Sequence, residues 1–306
     1  MIRALHEALS LNGWSTFSRL TSFIRWKLNW HKRDLDALPD ASLDRRFVSA
    51  RQAMELIPDQ AVVASSGFAG CGICNALFWA LRESFQANGY PGNLTWITVG
   101  AQGGRGKVPG TVEELAIPGL LKRYVAGHLE TVKDLLKLGD EGLLEIHTLP
   151  QGVISRLLAL QGEGVCQLTT HTGRGTFLDP ACGGGSAVTA EAGTGYVETD
   201  NDQLIYQLPA IKVAFLSAPY ADREGNLYFH NEPMLSENYE VVKAANANGG
   251  VVIAMAGEII ERDEARISII RDQLDAIVIH PYRPQMAGVP SQHLWAALLP
   301  GRDGDP

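Results

Sequence analysis

Cysteine, long apolar runs and excess positive charge are all scarce in this sequence of 306 residues. Its four scattered cysteines do not build a disulfide framework, so a reducing compartment is expected. No apolar run approaches the length of a membrane span, and no signal-peptide pattern opens the chain. The net charge of −8 gives no electrostatic support for nucleic-acid binding. These absences predict a cytoplasmic globular protein with a large core and no nucleic-acid partner.

The N-terminal segment departs from this acidic balance. Its first 33 residues carry several basic side chains against Glu7 alone, with tryptophans between them. We interpret residues 1–45 as an N-terminal helical extension whose tryptophans pack on the chain's own domain. Contact with a partner or with an anionic membrane stays open as an alternative. The basic residues are Arg3, Arg19, Arg25, Lys27, Lys32 and Arg33, and the tryptophans are Trp14, Trp26 and Trp30.

Strand-like and helix-like segments alternate after this extension. The apolar strands lack strict period-two alternation, which favours an α/β fold with an open, mainly parallel sheet flanked by helices. Ser42 or Asp44 is expected to cap a helix that runs through Met54. A glycine-rich middle and short strands predict a β-rich insert. Residues 46–285 form the predicted α/β domain, and residues 286–306 a C-terminal tail.

The stretch VVASSGFAGCGICNALFWAL, residues 62–81, places a glycine-rich turn between a strand and a helix. Such a turn lets a ligand approach the backbone, and the first N–H groups of the helix point outward. The G-x-G-x-x-G spacing of a dinucleotide site is missing, and no acidic residue ends the next strand at Val99 and Gly100. The turn therefore predicts a pocket for another kind of ligand.

Cysteine and phosphate motifs give weaker signals. Cys71 and Cys74 form C-x-x-C at a helix start, where the helix dipole is expected to lower a thiol pKa. No second pair accompanies them, so no metal site is expected. The segment GGRGKV has Val108 where a P-loop needs serine or threonine. From the residues alone, the prediction stops at an α/β protein with a glycine-rich acyl or phosphate pocket.

Six ordered segments carry a more specific resemblance. Together they resemble the α-type, N-terminal half of the class I CoA-transferases, the family of propionate, acetate and succinyl-CoA:3-ketoacid CoA-transferases. The resemblance covers residues 46–285 and implies the open CoA-transferase α-type fold. In that family an α half and a β half, fused or separate, form the active site between them. The segments are SGFAGCGICNAL, AIPGLLKRYVAGH, TLPQGVISRLLA, GRGTFLDP, APYADREGNLYF and ANGGVVIAMAGEI.

The resemblance implies a ping-pong reaction. A glutamate of the β half attacks an acyl-CoA and becomes a glutamyl-CoA thioester, from which a carboxylic acid takes the CoA. No segment here is matched to the family's Glu-x-Gly nucleophile, and Glu258 belongs to the α pattern. The resemblance therefore implies that this chain has no nucleophile and works with a β subunit in a heterodimer or heterotetramer. Coenzyme A enters as a thioester substrate, and neither a permanent cofactor nor a metal is implied.

The resemblance also implies site residues. Gln151, in LPQG, matches a glutamine near the reacting carboxylates. Asp222, Gly225 and Asn226 match a structural turn. The acyl-facing loop, with backbone N–H groups available as oxyanion donors, comprises Gly67, Phe68, Gly70, Gly72 and Asn75.

Departures from the family pattern lie beside this loop. Ser66 stands where the family has a first glycine, Cys74 and Asn75 replace Pro-Glu, and Ala76 replaces a polar asparagine. They leave two alternatives open. One is a CoA-transferase-like acyl-CoA hydrolase, or an enzyme that cleaves a ring or a C–C bond of a specialised acyl-CoA. The other is a non-catalytic homologue that binds a partner.

Overall fold

The computed structural model describes residues 28, 33–68, 71–104, 109–190, 192, 195–230, 232 and 234–279. The predicted C-terminal tail and the tryptophans of the predicted N-terminal extension lie outside these ranges. The described end of that extension packs on the domain. Leu35 is buried there, and Arg33 stacks over the Trp79 ring and pairs with Glu83. The domain boundary at residues 45 and 46 stays a prediction.

A mainly parallel sheet forms the centre of the molecule and confirms the predicted fold class. Its strand order is β11-β10-β8-β1-β2-β3-β4, with all these neighbours parallel, and the short β9 lies antiparallel beside β8. These strands are β1 (Val62–Ser65), β2 (Leu94–Thr98), β3 (Leu121–Ala126), β4 (Glu145–Thr148), β8 (Val213–Asp222), β9 (Leu227–Tyr228), β10 (Val251–Ile260) and β11 (Ala276–Ile279).

Helices cover both faces of this sheet. Val63 and Phe215 point into the core beneath one group of helices, whereas Ala64 and Ala214 face the other group. Burial on both faces explains why the strands are apolar throughout. None of the helices in the described ranges is long and apolar enough to cross a membrane. The first group comprises α1 (Ala50–Met54), α2 (Asn75–Asn88) and α3 (Lys133–Asp140), and the second α4 (Gln151–Gly162) and α5 (Asn238–Ala247).

Helix α1 begins later than predicted. Ser49 is its N-terminal cap. The Ser49 side chain accepts the Gln52 N–H and the Gln52 side chain accepts the Ser49 N–H, so the two residues form a capping box. The prediction of Ser42 or Asp44 as the cap is wrong. The Asp44 carboxylate instead accepts the Arg46 N–H two residues on, and a backbone bridge joins Phe47 to Ile277. The chain is therefore held in a turn there and turns helical only from Ala50.

The β-rich insert is a separate antiparallel sheet of order β5-β7-β6, formed by β5 (Gln167–Thr170), β6 (Val197–Asp200) and β7 (Gln203–Gln207). The buried Asp179 fastens the glycine-rich middle to it. Its carboxylate accepts hydrogen bonds from Arg174, from the N–H groups of Gly175 and Ala181, and from the Thr199 hydroxyl. The GTFLDP motif thus holds an irregular loop in place.

The turn between β8 and β9 is built on another buried carboxylate. Asp222 is 1% exposed and accepts four hydrogen bonds, from the backbone N–H groups of Glu224 and Asn226, the Asn226 amide and the Tyr228 hydroxyl. Burial opposes ionisation, yet the bonds from Asn226 and Tyr228 lower the pKa of Asp222 below its ordinary value. Gly225 has φ +93°, so a glycine suits this turn.

Candidate active site

The carboxyl ends of the parallel strands bring the predicted site residues to one edge of the sheet. The glycine-rich loop follows β1 at Ser65, and α4 begins with Gln151 soon after β4 ends at Thr148. Ligands of open α/β sheets bind at this edge, beyond the carboxyl ends of the strands. The sheet topology therefore places Gly67, Phe68 and Gln151 around the same space.

The loop after β1 needs glycine at Gly67. Its φ is +119°, and a Cβ there would lie 2.9 Å from the carbonyl oxygen of Gly72, which itself has φ +63°. Phe68 and Cys71 exchange backbone hydrogen bonds of 2.9 and 2.8 Å and so close the loop. Gly70 lies outside the described residues. Because the Gly67 N–H donates to the Ser236 hydroxyl at 2.8 Å, it reaches a substrate only if Ser236 turns away.

Gln102 holds this loop from beneath and was not found by sequence reasoning. Its buried amide donates to the carbonyl oxygens of Ser65 and Gly67 at 2.8 and 3.1 Å, and its oxygen accepts the Ser65 hydroxyl at 2.7 Å. Trp96 in turn donates to that hydroxyl at 3.0 Å. The side chains of two strands and of the loop after β2 thus fix where the glycine backbone lies.

A cavity of about 320 Å³ opens beside the loop. Two glycines make room for its side chains. A Cβ on Gly100 would lie 1.9 Å from the Phe68 ring, and a Cβ on Gly127 would lie 2.4 Å from Cγ of Gln151. The structure therefore brings the predicted residues Phe68 and Gln151 together. The cavity is lined by Phe68, Val99, Gln151, Gly152, Ser155, Met234, Leu235, Ser236 and Glu237.

Asn75 is not among the residues that line this cavity. It is fully buried at the start of α2, where its oxygen accepts the Ala76 N–H and its Cβ side packs against Gly110. Its predicted place in the acyl pocket stays a proposal.

Buried polar atoms without hydrogen-bond partners gather near the strand ends. Within the described residues, these include the Ser66 hydroxyl, the Asn75 amide nitrogen and the Asn238 amide oxygen. Native proteins pair nearly all such atoms, so orphaned ones mark places with unused binding capacity. Ser66 is also the position at which the family resemblance predicts a glycine.

The two loop cysteines do not behave as the C-x-x-C spacing predicted. Burial raises the pKa of Cys71, with the negative charge of Glu232 adding to the effect, and burial alone raises the pKa of Cys74 far above its ordinary value. Both thiols are free. The expectation of a thiol pKa lowered by the helix start is wrong, because loss of hydration outweighs the helix dipole here. Among the described residues no group of three His, Cys, Asp or Glu side chains could hold a metal.

The start of α5 adds two side chains that sequence reasoning missed. The Ser236 hydroxyl accepts the Gly67 N–H, and Glu237 lines the cavity together with Ser155. Burial raises the pKa of Glu237. Neither residue belongs to a sequence motif. The pairing of β8 with β1 brings this part of the chain next to the glycine loop.

The family model described as Coenzyme A transferase matches residues 47–272. This chain belongs to the CoA-transferase family. It is 33% identical over 214 residues to caffeate CoA-transferase of Acetobacterium woodii, covering 68% of this chain and 40% of that protein. Acetate CoA-transferase YdiF of Escherichia coli (strain K12) is 30% identical over 252 residues, 79% of this chain and 46% of its own length. The chain thus spans less than half the length of these two CoA-transferases.

The chain covers a shorter relative more fully. One subunit of the succinyl-CoA:3-ketoacid coenzyme A transferase of Xanthomonas campestris pv. campestris (strain B100) is 30% identical over 221 residues, 71% of this chain and 80% of the relative. Solved structures share the fold. The apoenzyme of acyl-CoA transferase YdiF from Escherichia coli O157:H7 superposes with a TM-score of 0.73 at 24% identity, covering 82% of this chain and 50% of the other.

Proposed function

We propose that this chain is the α half of a CoA-transferase that moves CoA between an acyl-CoA and a carboxylic acid. The observation that carries the proposal is the cavity at the strand ends, where the Phe68 loop and Gln151 meet. The β half is a separate subunit or a further part of a longer chain. The chain covers 80% of the single Xanthomonas subunit but less than half of two longer relatives, which supports this division.

The proposed chemistry proceeds through a glutamate of the β half. Its carboxylate attacks the thioester carbonyl carbon and expels CoA as a thiolate, which leaves a mixed anhydride. The thiolate then attacks the glutamyl carbonyl, the acyl group departs as a carboxylate, and a glutamyl-CoA thioester remains. An acceptor carboxylate reverses these two steps. The amide of Gln151 hydrogen-bonds the reacting carboxylate, while Phe68 and Val99 keep water from the anhydride.

One tripeptide qualifies the expectation that this chain has no nucleophile. Glu191, Ala192 and Gly193 have the Glu-x-Gly form, within the glycine-rich middle. Glu191 and Gly193 lie outside the described residues. The assignment of the nucleophile to the β half therefore needs a direct chemical test that includes the variant Glu191→Gln.

Intact-mass spectrometry tests this proposal. This chain, alone and together with its β half, is incubated with a panel of acyl-CoAs and no acceptor acid. We expect a CoA-sized adduct on the β half alone, formed only when this chain is present and unaffected by Glu191→Gln. An adduct on this chain would place the nucleophile here, and steady release of free CoA would favour the hydrolase alternative. No adduct and no loss of acyl-CoA would leave the non-catalytic homologue.

Replacing Gln151 with alanine is expected to lower kcat of the assembled enzyme roughly 10- to 100-fold, because a hydrogen bond to a charged group contributes about 1.5–3 kcal/mol. Steady-state transfer kinetics measure the change. The matched control is Gln86→Ala on α2, whose side chain is exposed and outside the cavity. Unchanged turnover in Gln151→Ala would contradict the proposed role and favour the non-catalytic alternative.

A further inference from the structure

Glu237 brings a carboxyl group into the same cavity as Gln151. It immediately precedes α5 and lines the cavity together with Ser155, whose hydroxyl favours the ionised form of Glu237. Gln151 and Ser155 stand four residues apart on α4, so their side chains lie one helical turn apart on one face. Gln151, Ser155 and Glu237 therefore line one shared cavity.

The remaining walls of the cavity are largely apolar. Phe68 and Val99 line it from the sheet edge, and Met234 and Leu235 from the segment before α5. Met234 and Leu235 keep 39% and 48% of their surface exposed, so apolar area is available to a ligand. The volume of about 320 Å³ is larger than an acetyl group needs. The cavity suits a short carbon chain that runs from the Gln151 amide toward Glu237.

Glu237 is a carboxylate without a counter-charge among the described residues. In the part of the chain that the structure describes, no basic side chain forms an ion pair with it. Burial and the nearby Glu240 both disfavour its ionised form. A ligand that donates a hydrogen bond relieves this cost, whereas a second carboxylate at the same place is repelled.

Resting on the proposed function, we propose that Glu237 selects acyl-CoA substrates by the polarity of the acyl chain. The preferred acyl group is a short carbon chain that carries a hydrogen-bond donor, either a hydroxyl or an ammonium group. An acyl group that ends in a second carboxylate is rejected. The donor binds the Glu237 carboxylate while the thioester end lies near Gln151.

The test compares four acyl-CoAs of equal chain length on the assembled enzyme: butyryl-CoA, 3-hydroxybutyryl-CoA, 3-aminobutyryl-CoA and succinyl-CoA. We expect kcat/KM for at least one donor-bearing substrate to exceed that for butyryl-CoA roughly tenfold or more, with succinyl-CoA poorest. The hydroxyl and amino substrates separate the two kinds of donor. In Glu237→Gln the advantage over butyryl-CoA shrinks and the discrimination against succinyl-CoA weakens.

Two further variants make the result specific to Glu237. Glu163→Gln removes one negative charge from an exposed side chain next to the end of α4 and is expected to leave all four ratios unchanged. Glu237→Asp keeps the charge but shortens the side chain, so the preference is reduced without reversal. Turnover with equal kcat/KM for butyryl-CoA and both donor substrates overturns the inference alone. Turnover of none of the four, together with no CoA adduct, overturns the proposed function as well.

Discussion

Replacing Gly67 with alanine is expected to lower turnover of the proposed CoA-transferase assembly about a hundredfold or more. Two independent constraints act at this position. The φ of +119° is one that L-residues rarely adopt, and the new Cβ would lie 2.9 Å from the Gly72 carbonyl oxygen. Because that contact is to backbone, the loop itself must move, and the Phe68 ring and the Gly67 N–H move with it. The rate of CoA adduct formation on the β half measures the effect directly.

The control for Gly67→Ala is Gly89→Ala at the end of α2. Gly89 also has a positive φ, +68°, but a Cβ there would meet nothing within 4 Å. It lies far along the helix from the glycine loop. We expect Gly89→Ala to lose about 1 kcal/mol of stability and to keep full activity. If both variants lost turnover equally, general destabilisation would explain the loss, and the loop would have no special part in the reaction.

Replacing Asp222 with alanine is expected to lower the free energy of unfolding by about 3–5 kcal/mol, the largest stability change among these predictions. The substitution leaves the buried Asn226 amide and Tyr228 hydroxyl without their acceptor, and it frees two backbone N–H groups of the turn. Urea unfolding of the chain in its native assembly measures the change. A loss below about 1 kcal/mol would contradict this account of the turn.

The pH dependence of stability provides a second test of the Asp222 prediction. Since its folded pKa lies below the ordinary value, its contribution is present above pH of about 4 and is lost as the pH falls through the lowered folded pKa. The stability difference between the wild type and Asp222→Ala therefore narrows in strong acid. Asp202→Ala removes an exposed carboxylate and is expected to change stability by less than about 0.5 kcal/mol at any of these pH values.

Much of the fold was predictable because the apolar segments of the sequence are the segments that the fold buries. The parallel α/β sheet followed from strands that are apolar on both faces, such as β2, which is buried at every position. The start of α1 was not predictable from candidate caps alone. Asp44 and Ser49 are both suitable cap residues, and between them Phe47 pairs with the distant Ile277, a contact that local sequence does not reveal.

The candidate site was predictable only in part. The family resemblance named Phe68 and Gln151, which share the cavity, and also Asn75, which packs against Gly110 and whose predicted role stays a prediction. Gln102 and Glu237 carry no motif, since a lone polar residue in a loop or before a helix is common. Their place in the site arises from tertiary contacts, which residue spacing in the sequence does not predict. The pKa of Cys74 is a similar case, because burial depends on the whole fold.

The pairing of β1 with β8 affects how the chain folds. Val63 pairs with Val213, so the centre of the sheet joins residues roughly 150 positions apart, and this high contact order favours slow folding. The glycine-rich middle and the antiparallel insert lie between these two strands in sequence but outside the parallel sheet. A single proteolytic cut in that insert would give two fragments that still pair with each other through β1 and β8. We therefore expect the two fragments of a cut chain to stay associated.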